Sequence, residues 1–207
     1  MDIIHSRNPI RLPAHRLDQA SEVLARAFQN DPMLKYLVPD DARRVGLLPS
    51  FFGTVVRYCL RYGEVYTTET LDGVACWLSP GNTTPTIGRM LRIGIHVSPL
   101  QFGWAGLRRF MTLAGYTDAV HERAVSGQHW YLWALGVNPP CQGQGIGGML
   151  MQPVLARADA ARLPCYLETE NEGNVSFYQK YGFQVVSKGE VPKGGLGVWA
   201  MLREPLR

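Results

Sequence analysis

Apolar and polar positions along the chain change period several times, and each period predicts an element. Asn8-Pro9-Ile10-Arg11-Leu12 predicts a short strand. From Pro13 to Phe28 the residues Leu17, Ala20, Val23, Leu24 and Ala27 recur at helical spacing and form one apolar stripe. Asn30-Asp31-Pro32 is expected to close this helix, because the residue before a proline avoids helical geometry. A second helix is predicted from Ala42 to Tyr62 on Leu47, Leu48, Phe51, Phe52, Val55, Val56 and Leu60, with Pro49 expected to kink or divide it.

The period then drops to that of strands. Glu64–Thr68 and Gly73–Leu78 are β-rich runs joined at Leu71-Asp72-Gly73, an antiparallel pair that Ser79-Pro80-Gly81-Asn82 ends. Residues 83–126 predict two helices, Ile87–Ile95 and Leu100–Val125. These read as an amphipathic cover over the sheet or as a lid that shapes a substrate pocket. Trp130–Val137 is an apolar strand, followed by Asn138-Pro139-Pro140 and a cluster of glycines. Met149–Ala161 reads as a helix with Pro153 in its first turns, Cys165–Glu168 as a strand and Val175–Tyr181 as a short helix. Phe183–Val186 and Val198–Leu202 complete the strands. With no repeat, low-complexity segment or linker, residues 1–207 are expected to form one domain.

Composition narrows the class. Apolar residues make up 46% and charged residues 18%, a balance that supports a packed core and excludes wholesale disorder. The net charge is +4, yet no run of five or more Lys or Arg occurs, so no nucleic-acid partner is expected. Mild basicity suits a cofactor rich in phosphate. Cys59, Cys76, Cys141 and Cys165 are scattered, with no CxxC and no His at zinc-ligand spacing, so reduced cysteines and no metal are expected. Met1-Asp2-Ile3-Ile4-His5 lacks the pattern of a signal peptide, and Arg57 and Arg61 interrupt the best apolar stretch. The expectation is a cytoplasmic protein without a membrane partner.

The chemistry concentrates in Gln142-Gly143-Gln144-Gly145-Ile146-Gly147-Gly148, between a strand and a helix. Residues without Cβ atoms let the backbone approach a ligand, and the helix start aims free N–H groups at the same spot, a place for phosphate. A Walker loop is excluded, since Met149-Leu150 stands where Lys-Ser or Lys-Thr is required. Gly143, Gly145 and Gly148 match the dinucleotide fingerprint, with Glu168 near the position of its ribose-binding acid. Only about sixty residues follow, too few for a full dinucleotide domain. A tight structural turn is the plain alternative. The remaining pattern, Q/R-x-x-G-x-G/A, is met by Gln142, Gly145 and Gly147.

The approach Leu135-Gly136-Val137-Asn138-Pro139, that glycine pattern, and the run from Asn174 through Phe177, Tyr178, Lys180 and Gly182 to Phe183 together resemble the GNAT superfamily of N-acetyltransferases. The resemblance covers Tyr131 to Val186 closely. It implies a mixed α/β fold with a mostly antiparallel central sheet flanked by helices and a helical insertion (83–126) between strands 3 and 4. Residues 130–186 are then the acetyl-CoA-binding core. The backbone around Leu135 and Val137 is expected to pair with pantetheine. Gln142, Gly143, Gly145, Ile146, Gly147 and Gly148 are expected around the pyrophosphate, and Asn174 on the cofactor.

Direct acetyl transfer from acetyl-CoA to an amine is the implied reaction, with a small-molecule or peptide acceptor and a monomer or homodimer as the working unit. Tyr178 matches the tyrosine that protonates the departing thiolate, and Tyr181, where the family often has leucine, is expected to be structural. The strand before the loop offers no acid, so the general base is sought in Glu168, with Glu170 and His129 as the other candidates. A non-catalytic CoA-binding sensor or scaffold of the same fold is the alternative. Phe51, Phe52, Trp77, Phe102, Trp104, Phe110 and Trp130 suggest either an apolar acceptor pocket or ordinary core.

Overall fold

A computed structural model describes residues 8–94, 99–192 and 194–206. In chain order the elements are β1 (Ile10–Arg11), α1 (Leu17–Ala27), α2 (Pro32–Leu37), α3 (Asp41–Tyr62), β2 (Gly63–Thr67), β3 (Gly73–Leu78), α4 (Ile87–Arg92), α5 (Pro99–Ala124), β4 (Trp130–Val137), α6 (Ile146–Ala161), β5 (Cys165–Thr169), α7 (Val175–Gln179), β6 (Gln184–Glu190) and β7 (Gly197–Arg203). The strands form one seven-stranded sheet in the order β1-β2-β3-β4-β5-β7-β6. Every neighbouring pair is antiparallel except β4 with β5. The two helices α4 and α5 intervene between β3 and β4, where the helical insertion is expected.

Strand alternation sends side chains to two cores. On one face Leu24, Phe52, Val56, Tyr58, Val74, Cys76, Tyr166 and Ala200 pack with α1, α3 and α5. On the other Trp77, Leu132, Leu150, Val154, Leu167, Phe183 and Met201 pack with α6 and α7. Among the described residues no helix is long and apolar enough to cross a membrane.

Several expectations require correction. The first helix opens as a 3-10 turn at Ala14–Arg16 before α1. Asp31-Pro32 does not simply end it but starts α2: the Asp31 carboxylate accepts from Met33 N–H at 2.9 Å, and Pro32 occupies the first turn, where a missing N–H costs nothing. Pro49 neither kinks off nor divides α3, whose buried row Leu47, Leu48, Phe52, Val55 and Val56 holds it as one helix. The insertion's long helix carries a break at Gly103 (φ 66°), and its short helix ends at Arg92; Ile95, assigned to it from sequence, lies outside the described residues. Helix α6 starts at Ile146 rather than Met149, which puts Pro153 in its middle. Strand β6 runs on to Glu190, past the apolar residues that marked it. The aromatic residues do not form a pocket: Phe51 packs on buried Phe52 and Phe102, Trp77 and Trp130 are buried in the α6 core, and Trp104 is 86% exposed.

Candidate active site

Strands β4 and β5 pair only at Trp130↔Cys165 and Tyr131↔Tyr166, then diverge although both continue. The cause lies in β4. Its register with β3 steps from Trp77↔Leu132 to Cys76↔Ala134, leaving Trp133 as an extra residue, and such a bulge adds local twist. Beyond it, Asn138 N–H donates to Asp72 C=O at 2.7 Å, so by alternation Gly136 turns its peptide groups to β3 while Leu135 and Val137 turn theirs to the open gap. The Gln142 side-chain amide donates to the Val137 carbonyl at 3.1 Å. Gly136 has a separate reason: a Cβ there would stand 2.9 Å from Ala27 and Leu24 of α1.

The chain leaves β4 through a 3-10 turn at Pro139–Cys141 and enters the glycine run. Gly143 (φ 77°) and Gly145 (φ 78°) take left-handed geometry that side chains resist, which lets the turn deliver the chain directly into α6. No described side chain caps α6 at Gly145, so its first N–H groups, with the positive end of the helix dipole, form a place where an anion can be held. A Cβ on Gly147 would press on Phe177 at 3.2 Å, beneath Leu135 and Val137. Gly148 serves packing: a Cβ there would overlap the Tyr181 hydroxyl at 1.6 Å.

Across the gap, Glu168 and Glu170 project from β5 and its end, with Asn174 leading into α7 and its amide 3.5 Å from Thr169 Oγ1. The Tyr178 ring is buried edge-on against Phe177 and Phe183. Burial, with the fields of Asp31 and Glu170, pushes its phenol upward, so it holds its proton. Burial also lifts three carboxyls: Glu168 to about 7, Glu170 to about 8 under Asp31 and Glu168 in addition, and Asp31 to about 6. Glu168 accepts from the Tyr131 hydroxyl at 2.5 Å and from the Tyr166 hydroxyl at 2.9 Å, bonds that oppose the rise.

Nothing local in the sequence marks Asp31 as part of this group. It reaches this group because buried Arg44 grips both ends of its segment, donating to Gln29 C=O at 2.9 Å and Val38 C=O at 2.8 Å. His129, a candidate base, sits at the head of β4, where the strands are still paired, bonded to Gly127 C=O and to His121. Glu168, Glu170 and Tyr178 are thus brought to the splayed side of the sheet, and His129 is not.

Residues 98–183 match the model of the acetyltransferase (GNAT) family. The chain is 23% identical over 193 residues to a probable serine/threonine-protein kinase of Dictyostelium discoideum, an overlap of 84% of this chain and 20% of that one. It is 35% identical over 92 residues to the peptidyl-lysine N-acetyltransferase YjaB of Escherichia coli (strain K12), or 41% of this chain and 60% of the relative. It therefore spans less than two thirds of either relative. A solved structure described as histone acetyltransferase HPA2 and related acetyltransferase, from Corynebacterium glutamicum, shares the fold at a TM-score of 0.67, 20% identity and 97% of both chains. The stretch that matches this family model takes in the splayed strands, the glycine turn and Tyr178.

Proposed function

We propose that the chain moves an acetyl group from acetyl-CoA directly to the primary amine of a small-molecule or peptide acceptor. The observation that carries this reading is the divergence of β4 from β5 after Tyr131↔Tyr166, with an uncapped helix start at one lip and Tyr178 at the other. The residues fit acetyl-CoA: Leu135 and Val137 offer strand-edge peptide groups to an extended amide arm, and Gln142, Gly143, Gly145, Ile146, Gly147 and Gly148 offer backbone N–H groups to pyrophosphate. Asn174 stands beside the same arm. Residues 130–186 act as the cofactor-binding core of a single domain, with 83–126 inserted over it.

When bound, acetyl-CoA supplies the acyl group as a thioester. Glu168 takes the proton of the acceptor ammonium, and a carboxylate near pKa 7 is matched to that task at neutral pH. The amine nitrogen bonds the carbonyl carbon as the carbon–sulfur bond breaks. Tyr178 gives its phenolic proton to the departing sulfur, and the second proton shed by the nitrogen as the amide forms restores the phenol.

Calorimetric titration with acetyl-CoA, beside NAD and ATP, tests the reading. Selective acetyl-CoA binding followed by acetylation of a lysine-bearing peptide or a simple amine is expected. Binding of NAD with indifference to acetyl-CoA would overturn it.

A further inference from the structure

Two phenols grip Glu168 from adjacent strands. Tyr131 and Tyr166 are direct partners on the last rung before β4 and β5 part, their rings 5.5 Å apart, and their hydroxyls end on different oxygens of the same carboxylate. The carboxylate is therefore fixed at the apex of the splay, in position and in rotation. Helix α5 of the insertion buttresses this grip. His121 lies flat on Tyr166, with ring centroids 4.2 Å apart and planes 8° apart, and meets Tyr131 edge-on at 4.8 Å. Its own ring is tied to His129 by a bond of 2.7 Å.

We propose that Tyr131 and Tyr166 are positioning residues for Glu168, and that His121 carries their geometry from the helical insertion to the base. The inference rests on Glu168 as the base only for its catalytic consequence; the grip itself is measurable without turnover. Both phenols donate to the ionised carboxylate, so each favours the charged form. The other charged and titratable groups around it are Glu170, just past the end of β5, and Asp118 on α5, the latter's charge raising the Glu168 carboxyl, with Asp31 beyond Glu170.

The test is an infrared difference titration of the carboxyl band, wild type minus Glu168→Gln, repeated in Tyr131→Phe and Tyr166→Phe backgrounds. These variants keep the rings and remove only the hydroxyls. Loss of one charge-assisted bond is expected to move the Glu168 titration upward by about one to two pH units. The acidic limb of the kcat/KM profile for acetyl-CoA and a lysine peptide should move with it. His121→Ala should shift the titration in the same direction, whereas His121→Phe, which keeps the stack, should shift it less. An unmoved carboxyl titration in both tyrosine variants overturns the proposal, even if Glu168→Gln is inactive. A shifted titration with full activity in Glu168→Gln would instead leave the grip standing and remove Glu168 as the base.

Discussion

His121 on α5 and His129 at the head of β4 share a hydrogen bond between their Nε2 atoms at 2.7 Å. His129 Nδ1 lies 2.9 Å from Gly127 C=O and must carry its proton there, so its Nε2 accepts and His121 Nε2 donates. Burial first, and then His129 nearby, depress His121 to about 4; burial also lowers His129. A histidine whose folded value lies below its ordinary 6.5 contributes stability that is present above 6.5 and lost as pH falls toward 4. For His121 the loss amounts to up to about 3 kcal/mol. Asp31, Glu168 and Glu170 act in the opposite sense, because their raised values make the fold gain as pH falls from about 8 toward their ordinary values of 4.5 and 3.8. Urea midpoints of wild type and His121→Phe between pH 7.5 and 4.5 separate the two. The wild type should lose its advantage over the variant as pH drops, and parallel curves would remove the dyad from the account.

Tyr178→Phe should lower turnover by about a hundredfold while leaving acetyl-CoA affinity nearly unchanged. The ring stays in its place between Phe177 and Phe183, and only the proton donor is removed. Single-turnover rates and calorimetric affinity measured on the same preparation decide this. An unaltered rate would make Tyr178 a core aromatic.

The glycine turn makes a sharper demand. Gly145 stands at the residue before α6 with φ 78°, so Gly145→Ala forces left-handed geometry at a cost of about 1–2 kcal/mol. Gly145→Glu adds a negative charge where pyrophosphate is expected and should abolish acetyl-CoA binding in a chain that still melts cooperatively. Retained affinity in the Glu variant would refute the phosphate role of the turn.

What sequence made legible is what depends on neighbours along the chain. The glycines, the uncapped α6 and the Asn174–Phe183 run could be read directly because their geometry is local. Asp31 could not, since its charge reaches Tyr178 and Glu170 through a fold in which Arg44 ties Gln29 to Val38. Tyr131 and Tyr166 read as apolar strand positions, and nothing short of the β4–β5 register shows that their hydroxyls meet on Glu168. At Pro49 the local backbone cost of about 3 kcal/mol is outweighed by the buried row of α3, which neighbours along the chain do not reveal. Ser187, Lys188 and Glu190 extend β6 without an apolar signal because they sit on an edge strand, where one face needs no apolar partner.

Arg203 of β7 ties the sheet to the end of α6. It is buried, donates from both Nη atoms to the two Asp159 oxygens at 2.8 Å, and donates from Nε to Tyr181 C=O at 3.0 Å. Asp159→Asn removes the charge that balances this buried cation and one of its three acceptors, a loss of about 3 kcal/mol. Denaturant unfolding should show it as a lowered midpoint at an unchanged slope. A change within 0.5 kcal/mol would mean that solvent reaches the guanidinium.

Gly148 and Tyr181 should prove interdependent. A Cβ at residue 148 would fall 1.6 Å from the Tyr181 hydroxyl and 2.2 Å from its ring carbon Cζ, so the whole ring must move to admit Ala. Displacing it disturbs Phe177, 5.2 Å away, which covers Gly147 in the first turn of α6. Gly148→Ala alone is therefore expected to cost about 1–3 kcal/mol and to weaken acetyl-CoA binding through the displaced turn. Tyr181→Leu in the same chain clears the space, and the pair should recover at least about 1 kcal/mol relative to the sum of the single changes. Affinity that returns together with stability assigns Gly148 to packing. Affinity that stays lost in a restabilised double variant makes the missing Cβ a requirement of the ligand itself.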